Sequence, residues 1–240
     1  MRRILFFVLL LVSLDGFSQE NVQVNKWTLS GSFSINSNGI NPIPAFSLGK
    51  AAAIANLSIS KGWFNYEPGL AYAFDAKPWY VDNWFHIYLV RKPVFKLRTG
   101  VNFSMFFMEK TVSGEKFLNG DRYLTGEIAG IFTLPGNTNI WLMYWNDNGQ
   151  ERGTINGHYF NLFIEKTDIN AGDEFRLAAS LQIFMLQYTA NNDGFFISPK
   201  LTFTRNKFPL ALYTQANIPV TTNMLPAPKF QWNIGLAYIF

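Results

Sequence analysis

Apolar and polar residues alternate along most of this chain, and a period of two marks β-strands with two unlike faces. Over 230–240, Phe230, Trp232, Ile234, Leu236, Tyr238 and Phe240 fall on one face, with Gln231, Asn233, Gly235 and Ala237 on the other. Over 200–204, Leu201 and Phe203 oppose Lys200, Thr202 and Thr204. Over 95–105, Phe95, Leu97, Val101, Phe103 and Met105 oppose Lys96, Arg98, Gly100, Asn102 and Ser104. The pattern predicts strands at 25–36, 51–61, 63–74, 84–91, 93–107, 122–134, 138–147, 156–166, 174–187, 195–205, 208–218 and 229–240. Boundaries read this way shift by about two to four residues, so about twelve strands (ten to fourteen) are expected.

The connections alternate in length. Lys61-Gly62, Arg91-Lys92, 134–137 and 205–207 are short, with a longer exception at 167–173. Longer ones span 37–50, 75–83, 108–121, 148–155, 188–194 and 219–228. Short turns at one end and long loops at the other characterise an up-and-down barrel of even strand number. A water-soluble β-sandwich or lipocalin-like barrel also alternates, but its outer face would be polar. Here the apolar rows are long and end in aromatics, as strands facing lipid do.

The first residues add an address. Arg2 and Arg3 precede the apolar run Ile4–Leu14, and Gly16-Phe17-Ser18 supplies small residues for cleavage after Ser18. The run is too short to span about 30 Å of hydrocarbon as a helix. The expected organisation is therefore a removed signal peptide at 1–18 and a single all-β barrel domain at 19–240. The absence of cysteine removes disulfides, thiolate metal sites and a lipid-anchored N-terminus. Charged residues are 15% and aromatics 17% of the chain, with a formal net charge of +4 and no long like-charged run. That balance gives no reason to expect nucleic acid. A secreted chain poor in charge and without apolar helices meets lipid by closing a barrel, because lipid leaves no backbone group unpaired.

The final residues, Trp232, Ile234, Leu236, Tyr238 and Phe240, resemble the C-terminal β-signal by which outer-membrane barrels are recognised during assembly. Gln19 after a small residue, with the many Asn and aromatic residues, is similar to barrels of the Bacteroidota type. The resemblance is to a class of Gram-negative outer-membrane proteins rather than to a family of one function. It implies outer-membrane lipid and lipopolysaccharide as surroundings, the barrel assembly machinery during biogenesis, and other outer-membrane proteins as candidate partners.

Candidate chemistry is sparse. His86 is expected in the lumen with Trp84 and Tyr88, and His158 on the outer face. Barrel lipid hydrolases set a serine beside such a histidine, but the same-face neighbour here is Phe160. A barrel protease would need carboxylates around a water; Asp82, Asp147 and Asp193 sit near loops and read more simply as turn residues. No metal or cofactor spacing is present. The one constellation is a set of charges of inward parity: Glu67, Lys96, Arg98, Glu127, Glu165, Arg176 and Lys200. Lys96 and Arg98 neighbour Glu127, and Glu165 is expected to face Arg176. Such a set either selects solutes or plugs the interior with paired charges, and the mixed signs favour the plug. Trp27, Trp63, Trp79, Tyr80, Trp84, Trp141, Tyr144, Trp145, Tyr188 and Trp232 are expected in the interfacial girdle. Trp79 and Tyr80 are the candidate contact platform of an outer loop. The leading functional expectation is a structural or interaction barrel, an accessory subunit of an envelope complex. The alternative is a narrow, porin-like channel for small solutes, and a barrel enzyme ranks last.

Overall fold

The computed structural model describes residues 26–43, 46–189, 192–224 and 227–240. The signal-peptide reading falls on residues outside this set. Twelve strands follow in chain order: β1 (Thr28–Asn36), β2 (Ala52–Lys61), β3 (Phe64–Ala73), β4 (Pro78–Arg91), β5 (Phe95–Val112), β6 (Glu115–Leu134), β7 (Thr138–Gly149), β8 (Gly157–Asn170), β9 (Phe175–Tyr188), β10 (Asn192–Arg205), β11 (Leu210–Thr222) and β12 (Gln231–Ile239). Each pairs antiparallel with its chain neighbours, and β1 pairs with β12 to close the barrel. Among the described residues, no helix is long and apolar enough to cross a membrane. The closing seam matches Ser32–Asn36 with Gly235–Ile239. It extends through Gly31 and Phe240, which exchange backbone hydrogen bonds of 2.9 and 3.1 Å. The Phe240 ring lies over Gly31, where a Cβ would come within 2.8 Å of the ring. Closure leaves no free edge to aggregate.

Alternation now becomes inside and outside. Leu29, Ile87, Phe103, Leu142, Leu201, Leu212 and Trp232 stay exposed on the outer wall. A continuous apolar belt of that extent is stable against lipid rather than water. Inward positions are polar, small or aromatic, among them Ser34, Arg98, Glu127, Asp147, Phe184 and Phe196, all buried.

Several strand limits differ from the sequence reading, notably in β4, in the β5–β6 hairpin and in β8. β4 begins at Pro78, so the 75–83 loop shrinks to 74–77. Proline needs no ladder partner for a missing N–H at the first residue of a strand, and the register slips between Ala71 and Tyr72 opposite it. β5 and β6 run on to a two-residue turn at Ser113-Gly114, where both residues take positive φ (53° and 86°). That is the geometry of a tight hairpin with twist-matched strands. Beyond Phe107 and Gly120 the hairpin pairs only with itself, and it replaces the 108–121 loop. β8 continues to Asn170 through an irregularity between Lys166 and Ile169, with Asp168 at φ 55°.

Candidate functional site

The lumen is filled asymmetrically. At mid-height the inward row of β5 brings Arg98 against Glu127 of β6: Nε donates to Oε1 at 2.7 Å and Nη2 to Oε2 at 3.3 Å. The fork geometry makes this a strong charge-assisted pair. His86, 1% exposed, sits between two carboxylates, with Nδ1 2.9 Å from Glu67 and Nε2 3.2 Å from Glu127. Neither contact has hydrogen-bond geometry. Trp145 donates its indole N–H to Glu127 Oε2 at 2.8 Å. Trp84 stacks on His86 at 5.2 Å and 7°, and the Arg98 guanidinium lies 4.9 Å above Trp141. The network continues through Asn65, which donates to Glu67 at 2.8 Å and accepts from Ser58 at 3.1 Å.

Gly100 makes this arrangement fit. A Cβ there would lie 2.3 Å from His86 Cδ2 and 2.9 Å from the Phe85 carbonyl oxygen. The glycine faces the lumen across from His86 in the β4–β5 register, so the histidine ring occupies the space a side chain would take.

Of the seven charges expected in the lumen, the structure joins Glu67, Arg98 and Glu127. Lys96 is half-buried on the same inward row and makes no ion pair among the described residues. Lys200 rests 4.2 Å above the Tyr213 ring. The expected pairing of Glu165 with Arg176 is not formed. Glu165 opposes Ser180, and Arg176 binds Asp168 at 3.0 Å, because the irregularity in β8 offsets the register beyond Lys166.

The aromatic expectations need correction. Trp27, Trp63 and Trp232 are exposed on the outer wall and Tyr144 faces outward, as a girdle requires. Trp141, Trp145 and Tyr188 face the lumen instead, and Trp84 does so beside His86, as the parity of β4 predicted. Their parity matches that of His86, Asp147 and Phe184, which decides direction more firmly than residue type. Trp79 and Tyr80 form no loop platform: both lie in β4, and Trp79, 2% exposed, donates to the Phe46 carbonyl at 2.7 Å. That bond ties down the first outer loop. Ile43 and Phe46 of this loop sit buried among Phe106, Tyr123, Tyr159, Phe184 and Tyr188. At the rim, Lys50 binds Asp75 at 2.7 Å, and Lys77 pairs with Glu109, joining the first two outer loops to β5. The Lys50 ammonium holds the Asp75 carboxyl below the usual carboxylate range.

His158 faces outward, as expected. Its Nδ1 lies 2.8 Å from the Tyr144 hydroxyl and 3.3 Å from Asn146 Nδ2. Asp193 caps an outer turn by accepting from the Tyr188 N–H at 3.1 Å. Asp82 and Asp147, read from sequence as turn residues, both line the lumen; the signal that identifies them is parity shared with Trp84 and Trp145. Asp147 accepts from Thr125 at 2.5 Å and from the Tyr188 hydroxyl.

Two cavities that share part of their lining open beside this packing. The larger, about 520 Å³, is lined by Ser30, Ser32, Asn56, Ser58, Glu67 and Gly69, and reaches Asp82 and Trp84. The second, about 190 Å³, lies beneath the first outer loop and shares Asp82 and Trp84 with it.

No protein-family model matches the sequence, and no curated protein does. Among solved structures, the chain is similar to the KdgM porin with a TM-score of 0.59 at 10% identity, covering 88% of this chain and 99% of that one. The same porin has been solved in complex with disordered oligogalacturonate, with the same agreement. An outer-membrane channel from Pseudomonas putida F1 matches with a TM-score of 0.54 at 8% identity, covering 93% of this chain and 98% of that one. At these identities the likeness is one of fold. Together with the closed strand ladder and the apolar outer wall, it makes the chain an outer-membrane β-barrel.

Proposed function

We propose that this barrel is a narrow channel for small polar solutes, with a passage running off-centre along β1, β2 and β3. The observation that carries this reading is the pair of cavities that share Asp82 and Trp84 in their linings. A barrel serving only as a scaffold gains by filling its interior, whereas here one flank is lined by serines and left open. The fold likeness to a porin and to a channel supports the same reading over that of an accessory subunit. The inward-folded first loop keeps the passage narrow, since Ile43 and Phe46 occupy the wider end of the lumen.

Purified protein in planar bilayers should show small, discrete single-channel openings. A folded, heat-modifiable protein that stays electrically silent over a wide voltage range would overturn the channel reading. The accessory-subunit reading draws on one feature, the β5–β6 hairpin, whose tip exposes Phe117 and Leu118. Removing residues 108–119 and comparing co-purifying proteins would test it.

A further inference from the structure

We infer that the cavity beneath the first outer loop binds a small organic cation, an ammonium or quaternary ammonium group. The inference rests on the reading of the lumen as a passage and names what the passage recognises. Asp82 and Asp147 both line this cavity, and none of its lining residues is Lys or Arg. Two basic groups of the lumen are engaged elsewhere, Arg98 by Glu127 and Trp141 and Lys200 by Tyr213, and Lys96 does not line this cavity. Asp82 accepts one side-chain hydrogen bond, from Asn102 at 3.2 Å on Oδ1, and its Oδ2 has no partner among the described residues.

A second observation points to a ligand. Ser104 is 7% exposed, lines the same cavity, and its hydroxyl has no hydrogen-bond partner among the described residues. The hydroxyl is thus free to meet an occupant of the cavity it lines. Aromatic rings contribute much of the remaining wall, among them Tyr80, Trp84 and Trp145. Ring faces attract cations, most strongly when water is excluded, and aromatic cages recognise quaternary ammonium groups in this way. Carboxylates, rings and one hydroxyl together match a cation with a short polar arm. An acidic oligosaccharide would meet Asp82, Asp147 and, in the larger cavity, Glu67 with like charge.

Choline is the probe, and 3,3-dimethylbutan-1-ol, of the same shape without charge, is its control. Titration calorimetry on the folded full chain in detergent should show saturable choline binding at least about tenfold tighter than the neutral compound. Asp82→Asn should weaken choline by about tenfold or more and leave the alcohol unchanged, as loss of a charge-assisted contact does. This substitution keeps an acceptor for Asn102, and a heat-modifiable band confirms folding. Asp147→Asn disturbs the contacts to Thr125 and Tyr188 and serves as the second variant. Equal affinity for choline and the alcohol, or choline binding unchanged in Asp82→Asn, would overturn the site. The two proposals separate cleanly. Choline binding by an electrically silent barrel removes the channel and keeps the site, and conductance without choline preference does the reverse.

Discussion

The two flanks of the lumen are built from different residues. Along β12, β1, β2 and β3 the inward rows carry many small residues, among them Gly235, Ala237, Ser30, Ser32, Ser34, Ala52, Ser58, Gly69 and Ala71. Along β6 to β10 it is large: Trp141, Trp145, Tyr159, Phe184, Leu186, Tyr188 and Phe196. The strands differ too, since β1 and β12 have 9 residues each while β5 and β6 have 18 and 20. A barrel of this size has more interior than side chains of one size fill evenly. Concentrating rings on one flank builds a packed core there, and the central charges pair against it. The cavities fall on the other flank. One wall thus supplies rigidity and the other supplies space.

That comparison breaks most visibly at Glu127. It is 5% exposed and holds Arg98, His86 and the Trp145 indole at once. Glu127→Ala should lower unfolding free energy in lipid vesicles by about 3–5 kcal/mol, since removing one partner leaves buried charges uncompensated. A loss below about 1 kcal/mol would show that water fills this flank and that the packed-wall account is wrong. Gly100→Ala comes next. Its methyl group meets a histidine held between two carboxylates, and overpacking of this kind costs about 1–3 kcal/mol. Urea unfolding measures the loss. Restoration of stability by a second change, His86→Ala, would assign it to the clash.

Strand number and the inward or outward sense of each strand were legible because a period of two leaves no other placement once one face meets lipid. Glu67, Arg98 and Glu127 followed from parity alone. What was not legible came from three sources. Pro78 and Asp75 read as loop chemistry, yet proline opens β4, and this took Trp79 and Tyr80 out of a loop. Charged pairs such as Glu109-Lys110 and Glu115-Lys116 read as loop polarity, although a hairpin beyond the membrane is solvated and carries them without cost. Tryptophans near strand ends suggested a girdle by type, whereas register neighbours placed Trp141, Trp145 and Tyr188 in the lumen. The β8 irregularity at Lys166–Ile169 left no periodic trace, so the Arg176–Asp168 pair was invisible.

The smallest expected change in stability sharpens the comparison from the open side. Ser32 faces the larger cavity on β1, with Asn56 opposite it on β2 and Ile239 on β12. A phenyl ring placed there has room to extend into the cavity rather than into packed neighbours. Ser32→Phe should therefore alter unfolding free energy by about 1 kcal/mol or less, below the range usual for overpacking a filled core. The same ring should block most of the passage, so single-channel conductance should fall several-fold while the heat-modifiable band persists. The mirror substitution on the filled flank, Ser198→Phe on β10, has no such space, because Ser198 is 4% exposed and donates to the Ala216 carbonyl at 2.6 Å. It should destabilise the barrel more and change conductance less. Two walls that differ only in composition, and not in role, would give the two substitutions equal effects on both measurements.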